Sequence, residues 1–542
     1  MSKVIAFIFL CVFASCISST VMAGELKVAS YFSDEMVLQR DMPIKVWGTA
    51  ENGATITVTF NGKESSAVAG DNGKWLVTLP KMPLNATGQE LLVKSDKGDT
   101  KTIKNILIGD VWLCSGQSNM GYPIKVDLSG KQAKKEAQDT LLRILNVNID
   151  FYPYPRDEFI RPANWGIAIG KHLDWKSAVT FFFGQALRRE LKDEVNTANI
   201  PIGLVTSARG GTAIEAFLPY NTHKYLEEGK SNRHIKSLIP QIKAKDLSTA
   251  EGDTFFKQYL ADWKLWQERS AKRIEQNKPV MPLPIFGNDA RKYNAGNLFN
   301  NMIHPLKHVS FKGMIWYQGE SNGSQKSEYY YMLKSYIAAL REFFDQPEMP
   351  FYIVQLASFG KIDPQPGLGT GSSGVREAQR LVAMEVPYTG LAVAVDVGDP
   401  KDIHPRNKKD VAERLALWAL HKDYEKKGLT YSGPLYKSHR VDGASIVVEF
   451  DHAGMGLMVG KKEAQEPVAE LKGAELQEFA IAGKDLKFHP AKAVIKGSTV
   501  VVTSDKVAEP FAVRYAYSAS PVGNLLYNKA GLPASPFKTD SW

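Results

Sequence analysis

Two short segments of the chain carry the residue types that nucleophilic acyl chemistry requires. "GQSN" places Ser118 in a small-residue turn after the apolar run 111–113, and "DIHP" offers His404 with Asp402 two residues before it. A hydroxyl nucleophile needs a base, a group that orients the base, and donors for the charge that develops on the carbonyl oxygen. We therefore predict Ser118 as nucleophile, His404 as base and Asp402 as the orienting carboxylate.

Donors for that developing charge could come from two other segments. "SARGG" contains Gly210 and Gly211, where the missing Cβ lets a substrate approach the backbone, and "WYQGESN" contains Gln318, whose amide is a neutral donor. We predict an oxyanion hole built from Gly211 and Gln318, with Gly210 as the alternative glycine. The predicted substrate-binding residues are Arg209, Glu320 and Asn119.

Simpler roles stay open for several of these residues. Arg209 could bind a carboxylate on the substrate, because its planar guanidinium matches that group, but a structural ion pair is the simpler interpretation. Asn119 could merely shape the turn. Cys114 ends an apolar strand, where a cysteine is more often a packing residue than a nucleophile.

Rival assignments exist for each catalytic role. The group that orients His404 could also be Asp399, Asp396 or a backbone carbonyl. "GESNG" formally matches G-x-S-x-G around Ser321, but that motif needs an immediate helix, which the following "NGSQK" delays. His304 is a rival base. Glu320 and Asp402 could form a glycosidase carboxylate pair, although nothing in the sequence distinguishes them from other acidic residues.

The elements that must position these residues are strands alternating with helices. Helices are predicted at 175–195, 327–344, 373–386 and 407–424, and strands, the first of them running into a glycine turn, at 200–211, 311–322, 350–359 and 389–400. Buried β-branched strands that alternate with helices indicate a parallel sheet covered on both faces, and ligands bind beyond the carboxyl ends of such strands. Residues 24–105 and those after 428 contain only short strands separated by turn residues, which predicts two β-rich flanking regions.

Seven segments in register resemble the sialate O-acetylesterase family, a branch of the SGNH hydrolases. They are "WLCSGQSNM", "GLVTSARGGTAIEAF", "LFNNMIHPL", "GMIWYQGESN", "VREAQRL", "DIHPRNKKDVAERLAL" and "VRYAYSASPVGNLLYNKAGLPASPF". The resemblance implies an α/β, flavodoxin-like catalytic fold that removes acetyl groups from sugars without a metal or organic cofactor. It assigns Ser118 as nucleophile, Gly211 or Gly210 and Gln318 as oxyanion donors, and His404 as base.

Two positions depart from the family pattern. Many relatives carry Asp three residues before the histidine, where this chain has Lys401, and an aromatic residue is expected where this chain has Arg209. The first departure is why the orienting group stays open. The implied partner is an acetylated sugar or glycan, most simply an O-acetylated sialic acid. Acetylated xylan is the alternative substrate, and a carbohydrate-binding protein without catalysis is the alternative of another class.

The predicted organisation follows from these patterns. It comprises a signal peptide at 1–23, a β-sandwich at 24–105, an SGNH-hydrolase domain at 106–427 with a helical insertion at about 221–290, and a β-rich domain at 428–542. The leader predicts a secreted or periplasmic protein, and Cys16 is a less favoured lipidation site. The net charge of +9 is scattered, which argues against a nucleic-acid partner, and no further apolar run predicts a membrane span.

Overall fold

The computed structural model describes residues 24–192, 199–276, 278, 295–363 and 367–541. The predicted signal peptide, Cys16 and, within the predicted insertion, residues 277 and 279–290 lie outside these residues. No helix in the described ranges has the length and apolar character needed to cross a bilayer.

The N-terminal region consists of strands, as its alternating pattern predicts. In Thr55–Phe60 the residues Ile56, Val58 and Phe60 are buried, because every second side chain of a strand faces the same way. Three strands form one small sheet and the others join a larger one. The strands are β1 Lys27–Val28, β2 Val37–Gln39, β3 Ile44–Thr49, β4 Thr55–Phe60, β5 Lys63–Val68, β6 Lys74–Leu79, β7 Asn85–Ser95 and β8 Thr100–Gly116.

Strand β8 belongs to both the N-terminal region and the parallel part of the larger sheet. Its first part pairs with β7 and β2, and its last part pairs in parallel with two strands of the α/β region. Asn105 takes a left-handed φ of 52°, yet Ile106 pairs with β7 and Leu107 with β2, so the chain stays in the sheet there. The boundary predicted at 105/106 therefore falls inside one continuous strand.

The central part of the mixed sheet is parallel, with the order β9-β10-β8-β11-β12-β13. These strands are β9 Leu142–Asn146, β10 Ile202–Ala208, β11 Gly313–Tyr317, β12 Phe351–Gln355 and β13 Thr389–Val393. Every residue of β11 and β12 is buried, which explains their unbroken apolar sequences.

Helices connect these strands and pack against one another in pairs. The α-helices are α1 Gly130–Glu136, α2 Ala178–Leu191, α3 Arg233–Lys243, α4 Ala250–Glu275, α5 Lys326–Phe343, α6 Gly371–Glu385 and α7 Lys409–Lys422. Helix α2 packs on α7, and α5 packs on α6. Helices α3 and α4 lie in the predicted insertion, and each begins at a side-chain cap, Asn232 and Thr249 respectively. Short 3-10 helices occupy 124–126, 170–173, 214–217, 220–224, 226–229, 304–306, 320–325 and 395–397, and a π-helix occupies 299–303.

The C-terminal region forms small sheets, most of them around a second apolar cluster. Its strands are β14 Leu435–Asp442, β15 Ser445–Asp451, β16 Leu457–Lys461, β17 Ala469–Glu470, β18 Phe479–Ala482, β19 Phe488–Pro490, β20 Lys492–Lys496, β21 Thr499–Thr503, β22 Ala512–Tyr515, β23 Leu525–Asn528 and β24 Phe537–Lys538. All of their pairings are antiparallel, unlike those of the central strands.

A buried ion pair joins the end of β13 to α7 and to the C-terminal region. The Arg414 guanidinium binds both carboxylate oxygens of Asp396, at 2.6 and 2.8 Å, and the Tyr527 hydroxyl donates to the same carboxylate at 3.2 Å. The side chains of Asp396 and Arg414 are 1% and 8% exposed. The Asp396 carboxylate therefore has a structural role in this ion pair.

We expect Asp396→Asn to lower the free energy of unfolding by about 3–5 kcal/mol, because it leaves the buried Arg414 charge without a carboxylate. Urea unfolding measures this. Asp399→Asn, a change of the same kind at an exposed carboxylate three residues away, should leave stability nearly unchanged. Equal unfolding midpoints for wild type and Asp396→Asn would contradict the prediction.

Candidate active site

The turn that carries Ser118 is held between the ends of two neighbouring strands. Gly116 has a φ of 147°, and a Cβ there would lie 2.1 Å from the Tyr317 carbonyl oxygen, so only glycine fits. The Gln117 N–H donates to the Tyr317 carbonyl at 3.0 Å, and the Arg209 N–H donates to the Gly116 carbonyl at 3.0 Å. The ends of β8, β10 and β11 therefore converge on Ser118.

His404 lies within hydrogen-bond distance of the serine. Its Nε2 is 2.8 Å from the Ser118 Oγ, and its ring lies nearly parallel to that of Tyr122, with 6.3 Å between centroids. Burial lowers the pKa of His404, the Lys408 ammonium lowers it further, and Asp402 opposes both. A neutral imidazole at this distance can take the hydroxyl proton.

Asp402 lies near His404 but contacts its backbone more closely than its ring. One carboxylate oxygen accepts the His404 backbone N–H at 2.8 Å and lies 3.7 Å from Nδ1. Of the rival acids, Asp399 accepts the Lys401 N–H and Asp396 binds Arg414. Asp402 is thus the closest of these three to the imidazole, at ion-pair distance.

The glycine turn lies against Ser118. A Cβ built on Gly210 would lie 3.2 Å from the Ser118 Cβ, and Gly211 takes a left-handed φ of 63°. Among the described residues, no protein acceptor binds the backbone N–H of Ser118 or of Gly211. These two N–H groups remain available to a ligand.

Gln318 is fully buried, and its side-chain amide forms hydrogen bonds with other groups of the protein. Its Nε2 lies 2.8–3.1 Å from three acceptors, and its Oε1 accepts the Tyr329 hydroxyl at 2.8 Å. The acceptors are Gln117 Oε1, the Thr212 carbonyl and Asn322 Oδ1. The amide that we predicted as an oxyanion donor thus ties the serine turn to the glycine turn.

Asn119 is also buried, and its amide joins the serine turn to the histidine loop. Its Nδ2 donates to Glu320 and, at 3.0 Å, to the Ile403 carbonyl, and its Oδ1 accepts from Lys408 at 2.6 Å. Burial raises the pKa of Glu320, and its Oε2 is enclosed without a partner. Both side chains bond to protein groups, and their role in substrate binding stays a prediction.

Arg209 is partly exposed and has no carboxylate partner among the described residues. It donates to the Gly210 carbonyl and lies over the Phe151 ring at 5.7 Å. The structural ion pair considered for it is therefore absent from the described part of the chain.

The rival residues have other surroundings. The Ser321 N–H faces Gln117, and no histidine bonds to Ser321 within the described ranges. His304 is packed among Phe299 and Phe343, its Nδ1 bonds to the Arg156 carbonyl, and burial lowers its pKa to about 4.

Cys114 is buried as a packing residue, as we predicted, and burial raises the pKa of its thiol to about 12.

Several residues at the site carry no recognisable signal in the sequence. Glu215 accepts from Asn322 Nδ2 at 2.9 Å and lies 2.9 Å from His234 on α3, so it links the insertion to Gln318. Lys408 resembles any lysine at the start of an amphipathic helix. Within the described ranges, no cluster of three or more His, Cys, Asp or Glu side chains could hold a metal ion.

Comparisons with known proteins identify the family of the chain. A family model described as "Carbohydrate esterase, sialic acid-specific acetylesterase" matches residues 271–417. The sialate O-acetylesterase of Rattus norvegicus is 31% identical over 453 residues, which cover 76% of each chain. The enzyme of the same name from Homo sapiens is 28% identical over 76% of this chain and 73% of its own.

A solved structure extends the likeness to almost the whole chain. A carbohydrate acetylesterase from Xanthomonas citri is 33% identical, covers 95% of this chain and 100% of its own, and superposes with a TM-score of 0.76. The mixed α/β sheet with additional β-rich regions is therefore a carbohydrate acetylesterase fold. The chain belongs to the sialate O-acetylesterase family and is a carboxylic ester hydrolase.

Proposed function

We propose that the protein removes O-acetyl groups from sialic acids through a covalent acetyl-serine intermediate. The observation that carries this proposal is the 2.8 Å separation of Ser118 Oγ and His404 Nε2, at the point where the ends of β8, β10 and β11 meet. The family assignment supplies the class of reaction, and the names of the relatives supply the class of substrate.

In the first step His404 takes the proton of Ser118, and the serine oxygen attacks the acetyl carbonyl carbon. His404 then returns the proton to the sugar oxygen as the carbon–oxygen bond breaks. In the second step water, deprotonated by His404, releases acetate from the serine. Asp402 is the proposed partner of the imidazolium that forms, and its 3.7 Å distance from Nδ1 makes it an ion pair rather than a hydrogen bond.

The backbone N–H groups of Ser118 and Gly211 are the proposed oxyanion donors. Gln318 would support them indirectly, because its amide holds the serine turn and the glycine turn together. One oxyanion donor typically contributes about 3–4 kcal/mol to the stabilisation of the transition state. Placing both donors on backbone makes the site independent of side-chain rotation.

A flavodoxin-like SGNH layout is consistent with the strand order. Without the edge strand β9, the order β10-β8-β11-β12-β13 corresponds to 2-1-3-4-5, in which ligands bind where the order reverses. Ser118 follows β8, the first strand of that order. The division into sandwich, catalytic domain and C-terminal domain, and export directed by residues 1–23, belong to the same proposal.

We expect Ser118→Ala to lower kcat for p-nitrophenyl acetate by roughly 10⁴-fold or more, because no other group can form the acyl intermediate. The thermal unfolding midpoint should remain close to that of the wild type. Ser321→Ala is the matched control and should keep its activity. Full activity in Ser118→Ala, with loss in Ser321→Ala, would transfer the nucleophile to Ser321.

The position and charge of Arg209 favour a sugar that carries a carboxylate as the substrate. Its guanidinium is partly exposed beside the glycine turn, and no described carboxylate neutralises it. A sialic acid carries such a carboxylate, whereas the xylose units of acetylated xylan carry none. This unpaired charge is the reason to prefer sialic acid over the xylan alternative.

We expect Arg209→Met to lower kcat/KM for an O-acetylated sialic acid by about 10–100-fold, the value of a charge-assisted hydrogen bond. Hydrolysis of the methyl ester of the same sugar, which lacks the charge, should change less than about twofold. Arg161→Met, at an exposed arginine paired with Asp150, is the control variant. A wild-type enzyme that prefers acetylated xylan would favour the alternative substrate, and glycan binding without turnover would favour a binding protein.

A further inference from the structure

Lys408 is a buried cation that the proposed reaction does not use. Its side chain is fully buried, and its Nζ donates to the Asn119 Oδ1 and to the Pro405 carbonyl, both at 2.6 Å. Its backbone N–H donates to Asp127 at 2.8 Å. Both oxygens that accept from the ammonium are uncharged, so an ion pair with either of them does not explain why a lysine is buried here.

The ammonium and the amide beside it bind the carbonyls of the two residues that flank His404 in the chain. The carbonyl of Ile403 accepts from Asn119 Nδ2 at 3.0 Å, and the carbonyl of Pro405 accepts from Lys408. Lys408 in turn binds Asn119, which directly follows Ser118 in the chain. A closed set of hydrogen bonds therefore connects the nucleophile turn with the histidine loop.

The charges on either side fix the orientation of the Asn119 amide. Its oxygen faces the Lys408 ammonium and its nitrogen faces the Glu320 carboxylate, so a flipped amide would meet like charge at both ends. Lys408 and Glu320 therefore hold the Asn119 amide in one orientation, the first at its oxygen and the second at its nitrogen. The charged and titratable groups that surround Lys408 are Glu320, Asp127, Asp402, His404, Tyr122 and Tyr317.

Lys408 also acts on His404 through its charge. Burial lowers the pKa of Lys408 to about 7, and the pKa of His404 lies below the ordinary histidine value. The protonated lysine lies close enough to His404 to oppose protonation of the imidazole. A positive charge there disfavours a second one on the imidazole and so keeps the base ready to accept a proton.

We propose that Lys408 is a positioning residue for the reaction: it fixes His404 against Ser118 through Asn119 and places a positive charge beside the imidazole. This rests on the proposed roles of Ser118 and His404. Lys408 would touch neither substrate nor the reacting atoms.

Lys408→Met tests the proposal, because it keeps the volume of the side chain and removes the charge and both hydrogen bonds. We expect kcat for p-nitrophenyl acetate to fall by about 10–100-fold with KM within about twofold, since small displacements of a catalytic group are costly. The acid limb of the kcat/KM profile should move to higher pH, because the pKa of His404 rises when the neighbouring charge is lost. Lys409→Met, at the less buried neighbouring lysine, is the matched control.

Asn119→Ala separates the loss of positioning from the loss of the Lys408 charge. It also tests the proposal if Lys408→Met does not fold. It should lower kcat similarly but leave the acid limb in place, because the Lys408 charge remains. The double variant should lose little more than the more impaired single variant, since both changes break one link. A wild-type kcat in folded Lys408→Met or in Asn119→Ala, with Ser118→Ala inactive, overturns this proposal and leaves the proposed function standing. An active Ser118→Ala overturns the proposed function first.

Discussion

The parallel pairing of β8 with β10 on one side and β11 on the other is the constraint on which the site depends. It brings the carboxyl ends of three strands to one place, so that the turns after them can exchange hydrogen bonds. The serine turn thereby receives the Arg209 N–H from one neighbour and donates to the Tyr317 carbonyl of the other. His404 arrives from a fourth strand, β13, at the far edge of the sheet, and needs a separate attachment.

Buried polar groups form that attachment, although burying such groups costs free energy of folding. Gln318, Asn119, Glu320 and Lys408 all bury hydrogen-bonding or charged atoms, and such atoms destabilise a fold unless they are paired. Almost every one of these atoms is paired, apart from one oxygen of Glu320. A network of this kind has few alternative arrangements, which suits a reaction whose geometry must not vary.

The sequence predicted those parts of the site that depend on local pattern. Ser118 follows an apolar strand in a small-residue turn, and His404 follows Asp402 by two positions, but the two lie 286 positions apart and it was the family resemblance that joined them in one prediction. The flanking β-rich regions and the central helices followed from periodicity in the same way. The functions of Gln318 and Asn119 could not be predicted, because their partners lie up to 289 positions away in the chain. Only the folded structure shows that their amides point inward, and nothing in "NKKD" indicates which lysine becomes buried.

The continuity of β8 has a consequence for how this protein can change during evolution. The strand that leads to Ser118 begins among the strands of the N-terminal region, so neither part has a complete sheet without the other. Loops after the parallel strands can lengthen, as the insertion that carries α3 and α4 shows, because they leave the strand order intact. An exchange of the N-terminal region, by contrast, would have to replace half of a catalytic strand. We therefore expect the two to be inherited as a single unit, with variation confined to the loops around the site.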